Sequence, residues 1–209
     1  FKWTSSSWCE DQDFFRFSGI YRDVYLYAIP EVHVSDVKIQ TLLDDTFTKA
    51  DLVIDTKATK AGKVKITLSK DGKELQSVEE TLAEESQYVM KVERPELWSA
   101  ESPVLYDLLL EVMDENGQVT EVIPQRVGFR RFEMKDSIMM LNGKRIVFKG
   151  VNRHEFSSVS GRVVSREELI KDLVTMKQNN INAIRTCHYP DAVGIYELCD
   201  EYGIYMIAE

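Results

Sequence analysis

Seven short apolar-alternating runs fill the stretch from Pro30 to Arg131, and this period of two constrains the fold more than any other feature of the chain. The runs are Val32 to Leu42, Lys49 to Ala58, Lys63 to Ser69, Lys73 to Leu82, Gln87 to Val92, Val104 to Met113 and Val119 to Phe129. Side chains of a strand point alternately to opposite faces, so each run buries one face and wets the other. Turn signals separate them at Asp44-Asp45, Ala61-Gly62, Asp71-Gly72, Pro95, Pro103 and Asn116-Gly117. Seven strands at that spacing in about a hundred residues predict an immunoglobulin-like sandwich, without the cysteine pair of antibody domains.

After Arg131 the pattern changes. Ile138 to Leu141 and Arg145 to Phe148 flank Asn142-Gly143, a strong hairpin signal. Ser165 with Glu168 three residues on makes a capping box, and Leu169, Leu173 and Met176 carry an apolar helical stripe as far as Lys177. A strand over Ile181 to Ile184, a second helix over Ala192 to Tyr202 closed by Gly203, and a strand over Ile204 to Ala208 follow. Strand, helix, strand, helix, strand is the opening of a parallel α/β fold. A closed barrel needs eight such strands, so the 209 residues are expected to be a piece of an enzyme. The expected class is therefore mixed β and α/β: an immunoglobulin-like β-sandwich followed by the first strands and helices of an incomplete (β/α)8 barrel. Residues 1–29, rich in rings and acids (Trp3, Trp8, Glu10, Asp11, Asp13, Phe14, Phe15), look like the end of a further β-domain, with 30–131 the sandwich and 132–209 the start of the barrel.

Composition excludes several classes of function. The net charge of -9 argues against nucleic acid, whose backbone is bound by clustered Lys and Arg. No helical apolar run approaches the length of a membrane span. Three cysteines, Cys9, Cys187 and Cys199, form neither an even disulfide set nor a metal spacing, which favours free thiols and a reducing, cytoplasmic compartment.

In a parallel barrel the loops after the strands build the active site, so Asn152, Arg153, His154, Glu155, Arg185 and His188 are expected to converge on one pocket. A guanidinium at a barrel mouth calls for a carboxylate: Arg185 either orients a catalytic one or makes a structural ion pair at the sheet edge. His154 and His188 can hydrogen-bond a sugar hydroxyl as neutral imidazoles, and the bland reading of each alone is a satisfied loop histidine. No third ligand at metal spacing accompanies them, so no metal is expected here. Cys187 and His188, taken as neighbours in extended chain, point to opposite sides and make a poor nucleophile and base. Glu10, Asp11 and Asp13 find their simplest partners in Arg16 and Arg22. Trp98 reads as a packing anchor and His33 as a surface residue of the sandwich.

Several stretches carry a specific resemblance. They are Glu10-Asp11-Gln12-Asp13 through Val24, Pro95-Glu96-Leu97-Trp98-Ser99 through Tyr106, Val127-Gly128-Phe129-Arg130, Phe148-Lys149-Gly150-Val151-Asn152-Arg153-His154-Glu155, Met176 through Arg185, and Cys187-His188-Tyr189-Pro190. In this order and over the whole chain they resemble the β-galactosidases of glycoside hydrolase family 2. The resemblance implies a jelly-roll sugar-binding end, an immunoglobulin-like domain and the first part of a catalytic barrel. It further implies that His154 and His188 contact hydroxyls of a galactosyl ring, that Arg185 orients the nucleophilic glutamate, and that Asn152, Arg153 and Glu155 support the loop. The family's retaining mechanism uses two glutamates about 5 to 5.5 Å apart. Both are expected beyond Glu209, as are the magnesium ligands, so the chain alone is expected to be inactive and to hold no cofactor. The intact enzyme is expected to take magnesium and sodium, to hydrolyse β-galactosides such as lactose and to be a homo-oligomer. Ser5-Ser6 stands where relatives often carry Asp-Gly for sodium, so no sodium ligand is assigned there. A β-glucuronidase of the same family and a non-catalytic carbohydrate-binding or scaffold module are the alternatives.

Overall fold

The computed structural model describes residues 19–209, so the acidic knot at Glu10 to Asp13, Ser5-Ser6 and Cys9 lie outside the described residues. The chain forms two compact units: Tyr27–Ile146, and the described residues up to Leu26 together with Val147–Glu209.

In the first unit, β1 (Val34–Leu43), β2 (Lys49–Ala58) and β5 (Glu85–Glu93) make an antiparallel sheet in the order β1-β2-β5. The second sheet runs β4-β3-β6-β7, from β3 (Gly62–Lys70), β4 (Lys73–Leu82), β6 (Tyr106–Met113) and β7 (Val119–Val127). The alternation predicted from sequence is visible as burial: in β3, Val64, Ile66 and Leu68 are buried while the residues between them are not. Both sheets feed one core, in which Leu52, Ile54, Val64, Ile66, Leu82 and Leu110 are inaccessible to solvent. Burial of such aliphatic side chains stabilises by about 1.5–3 kcal/mol each, enough to make sheet pairing here unambiguous in register.

Trp98 is 1% exposed, an anchor as expected. A Cβ at Gly128 would come within 3.0 Å of the Trp98 side chain, and Arg130 stacks over the same ring at 4.6 Å. The glycine of Val127-Gly128-Phe129-Arg130 thus makes room for the tryptophan. His33 corrects the surface reading: it precedes β1, its side chain is only 20% exposed, and Nδ1 lies 2.9 Å from the Glu121 carboxylate.

The hairpin at Asn142-Gly143 forms between β9 (Ile138–Leu141) and β10 (Lys144–Arg145), with both turn residues at positive φ, 50° and 73°. An unpredicted strand, β8 (Phe132–Lys135), pairs with the other side of β9. The strand expected from Arg145 onward does not continue to Phe148. Chain pairing resumes at β11 (Gly150–Arg153), inside the stretch read as a polar loop.

In the second unit β11, β12 (Ala183–Thr186) and β13 (Tyr205–Ile207) make a parallel sheet in chain order. Helix α1 (Arg166–Gln178) connects the first two strands and α2 (Gly194–Tyr202) the last two. The capping box is formed as predicted: the Glu168 amide donates to Ser165 Oγ at 3.2 Å and the Ser165 amide to Glu168 Oε2 at 2.9 Å. Gly203 closes α2 in the left-handed region, at φ 70°. That helix starts two residues later than expected, at Gly194, and just before it the Ala192 amide donates to the buried Glu155 carboxylate at 2.7 Å. Leu169 and Leu173 of α1, Ile184 of β12, Ile195, Leu198 and Cys199 of α2 and Ile204 form one apolar cluster, which places both helices on the same face of the sheet.

Candidate active site

The site is built on the register of two parallel strands. Gly150 lies opposite Ala183, Val151 opposite Ile184, Asn152 opposite Arg185 and Arg153 opposite Thr186. A Cβ at Gly150 would meet the Ala183 Cβ and carbonyl oxygen at 3.1 Å, so a glycine lets the strands approach at the point where the site begins. Since alternate residues face opposite ways, Asn152 and Arg185 share the face away from the helices, and Arg185 Nη1 lies 3.5 Å from Asn152 Oδ1. His154 and His188, in the segments that follow each strand, meet edge to face with ring centroids 5.3 Å apart. The sequence-predicted Asn152, His154, Arg185 and His188 are therefore neighbours.

Arg153 and Glu155 are not part of that cluster, which corrects the expectation that all six converge. Arg153 falls on the opposite phase of β11 and points to the helical side, where Nη1 donates to Asp191 at 2.7 Å and Nη2 to Asp172 at 3.0 Å. Its side chain is 4% exposed and that of Asp191 is fully buried. Burial pushes the Asp191 carboxyl above the usual aspartate range, and the Arg153 guanidinium pulls against that rise. Glu155, inaccessible to solvent, accepts from Arg22 and from the Ala192 amide. Arg22 was expected to serve the amino-terminal acids; among the described residues its partner is Glu155. Arg162 stacks on Tyr189 at 3.8 Å and on Tyr21 at 4.8 Å, which ties the segments carrying these three side chains together.

Two members of the cluster were not foreseen. Glu209 bonds Arg185 Nη2 through its side chain and lies 3.5 Å from His188 Nδ1, giving the guanidinium the carboxylate its position calls for. Cys187 is buried, accepts from Arg185 Nη1 at 3.2 Å, and presents its sulfur with ring nitrogens of His154 and His188, all within 4.8 Å of one another. The expectation that Cys187 and His188 point apart fails because β12 ends at Thr186, and strand alternation does not extend past the strand. His154 Nδ1 is buried with no hydrogen-bond partner among the described residues, an arrangement that costs about 1–3 kcal/mol unless a ligand satisfies it. Spacing could not reveal this group, because its members come from two loops joined only by the parallel register.

The donor set of two imidazoles, a thiol and one carboxylate does not fit magnesium, which takes oxygen ligands. What it does offer is a fixed charge, Arg185, paired to a carboxylate, beside two imidazoles able to donate to or accept from hydroxyls. Cys199, by contrast, lies in the apolar cluster, where burial pushes its thiol up to about 12.

Comparison with known proteins covers nearly the whole chain. Family models match at residues 1–30 (glycosyl hydrolases family 2, sugar binding domain), 32–130 (glycosyl hydrolases family 2) and 132–209 (glycosyl hydrolases family 2, TIM barrel domain). A β-galactosidase of Halalkalibacterium halodurans is 49% identical over 99% of this chain, and one of Streptococcus thermophilus is 49% identical over all of it. The chain spans only 21% of the length of either relative. Among solved structures, the β-glucuronidase 3 of Bacteroides uniformis superposes with a TM-score of 0.85 at 31% identity, over 94% of this chain and 25% of that one.

Proposed function

We propose, from the premise that this chain belongs to glycosyl hydrolase family 2, that it is the part of a retaining β-galactosidase that supplies one wall of the active site. The observation that carries the reading is the parallel register that sets Arg185, His154 and His188 side by side at the ends of β11 and β12. Three parallel strands with both helices on one face support a barrel, since parallel sheets are covered on both sides and the face bearing Asn152 and Arg185 is the one a closed barrel would line.

In this reading Arg185 orients the attacking carboxylate and keeps it ionised through two charge-assisted hydrogen bonds. His154 and His188 hold ring hydroxyls, and their bonds strengthen as positive charge develops on the sugar. Asn152 steadies the guanidinium. Arg153 and Glu155 act one layer behind, fixing the strand end and the loop through Asp191, Asp172 and Arg22. The nucleophile and the acid/base, two glutamates about 5 to 5.5 Å apart in retaining enzymes, are supplied by sequence outside these 209 residues. The substrate is a terminal β-galactoside such as lactose, on the strength of relatives named β-galactosidase. The free thiols at Cys187 and Cys199 support a reducing compartment, the cytoplasm.

The structural likeness to a β-glucuronidase favours a second reading of the same chemistry, at 31% identity against 49% for the galactosidases. Nitrophenyl galactoside and nitrophenyl glucuronide offered to the full gene product separate the two. The expected result is turnover of the galactoside and none from the 209-residue chain alone. Preference for the glucuronide, or nitrophenol release by the chain alone, overturns the proposal.

A further inference from the structure

We propose that Tyr21 and Arg22, in the segment that matches the sugar binding domain, are positioning residues for the barrel site: they strap together the two loops that carry His154 and His188. The first loop leaves β11 after Arg153 and carries His154 and Glu155. It then turns back on itself, since the Ser157 amide donates to the Gly161 carbonyl at 2.7 Å and the Gly161 amide to the Ser157 carbonyl at 3.0 Å. Arg162 follows at once and stacks on Tyr189 of the second loop at 3.8 Å. Two more contacts join the loops: the Ala192 amide donates to Glu155 Oε1 at 2.7 Å, and the Tyr189 hydroxyl donates to the Glu155 carbonyl at 3.4 Å. His154 immediately precedes Glu155 and His188 immediately precedes Tyr189, so each histidine is one residue from a point where the loops are held.

The strap residues secure these points by charge and by stacking. Glu155 is inaccessible to solvent, and its second oxygen, Oε2, accepts from Arg22 Nη2. A buried ion pair stripped of one partner is strongly destabilised, because the remaining charge stays out of water without compensation. Without Arg22 the Glu155 carboxylate is relieved by turning to solvent, and that movement breaks its bond to the Ala192 amide. Tyr21 works through Arg162, which is 8% exposed: the guanidinium lies 4.8 Å from the Tyr21 ring, and Nη2 donates to the Tyr21 hydroxyl at 3.4 Å. A cation over an aromatic ring is held more tightly where water is excluded. Each strap residue thus meets a first-loop side chain that itself grips the second loop. The consequence for turnover rests on the reading of His154 and His188 as hydroxyl-binding groups. Contacts of that kind strengthen in the transition state and depend on exact placement, so loosening the loops lowers kcat more than it raises KM. The consequence for the loops themselves does not depend on that reading.

The test uses the full gene product and whichever nitrophenyl glycoside the parent turns over. Arg22→Ala is expected to lower kcat about tenfold or more with KM changed less than about threefold, and added guanidinium ion is expected to restore part of the loss. In a Glu155→Gln background the same Arg22→Ala change should cost less than about threefold, because no buried charge is then stranded. Hydrogen exchange read by mass spectrometry needs no substrate: peptides covering residues 154–162 and 187–192 should exchange about tenfold faster in Arg22→Ala, while the sandwich strands keep the parent rate and so report a retained fold. Tyr21→Leu, at a position 40% exposed, leaves Glu155 paired and should quicken exchange over 187–192 even if Arg22→Ala does not fold. If the parent turns over neither glycoside, the sugar-site reading falls and the exchange rates still decide the strap. Parent-like exchange in both loops, unchanged kcat in folded Arg22→Ala, or an equal loss in the Glu155→Gln background overturns it.

Discussion

Arg185 and Arg153 stand in neighbouring strands, carry the same charge and do different work, and the difference is one of phase. Arg185 opposes Asn152 and faces away from the helices; Arg153 opposes Thr186 and is buried among Asp172 and Asp191. A charged hydrogen bond is worth about 1.5–3 kcal/mol, so Arg185→Ala in the intact enzyme should lower turnover at least about tenfold with little loss of stability. Steady-state kinetics on a nitrophenyl galactoside checks this, and unchanged turnover removes Arg185 from the mechanism. At Asp191 the prediction concerns pH. Its folded-state value is raised above the unfolded 3.8, chiefly by burial and against the pull of Arg153. Its contribution is therefore fully present below 3.8 and is lost as pH rises through the raised value. The melting temperature of the parent relative to Asp191→Asn should fall as pH rises through that window. A gap that widens instead would mean that the attraction of Arg153 outweighs burial. Sequence placed Asn152, His154, Arg185 and His188 together correctly, because strand-end loops in a parallel fold must meet. It could not assign Arg153 or Cys187, since a one-residue error in strand bounds reverses every side chain.

At the scale of elements, legibility followed one-sided burial. The sandwich strands and α1 were readable because each has a single apolar face with a sharp period: Val64, Ile66 and Leu68 in β3, Leu169 and Leu173 in α1. β11 was not, because Gly150-Val151-Asn152-Arg153 carries polar residues on both faces, one set toward the site and one toward the helices. Its strand character comes from the ladder with β12 rather than from its own composition. β12 was placed two residues early for the same reason, since Arg185 and Thr186 look like loop yet complete the pairing with Asn152 and Arg153. The capping box on α1 is the local signal that transferred best, and it yields a direct test. Ser165→Ala removes the acceptor of the Glu168 amide and should cost about 0.5–2 kcal/mol, read as a lower urea midpoint at unchanged slope. Retention of the parent midpoint would show that tertiary packing of Leu169 and Leu173 alone fixes the start of the helix.

Over the whole molecule, the two units differ in how completely they satisfy their own sheets. The sandwich buries the inner faces of both sheets in one core, and its four-stranded sheet ends in strands whose exposed residues are mostly charged or polar, such as Glu79 and Glu80 on β4. Among the described residues α1 and α2 cover one face of the parallel sheet, while the other presents Asn152, a partly exposed Arg185 and Ile207 at 55% exposure. Among the described residues its outer strand β13 pairs on one side alone, with β12. An apolar edge strand with free backbone groups is a template for a second strand, and neither a charge nor a proline on Tyr205-Met206-Ile207 discourages pairing. The 209-residue chain should therefore associate as its concentration rises, through β13, and light scattering coupled to size exclusion should record a mass above the monomer's 24.1 kDa. Ile207→Lys sets a charge on that edge and should return the chain to monomer while its melting temperature stays close to the parent's. A chain that stays monomeric at all concentrations, or a lysine variant that associates as readily, would locate the sheet's missing cover somewhere other than this edge.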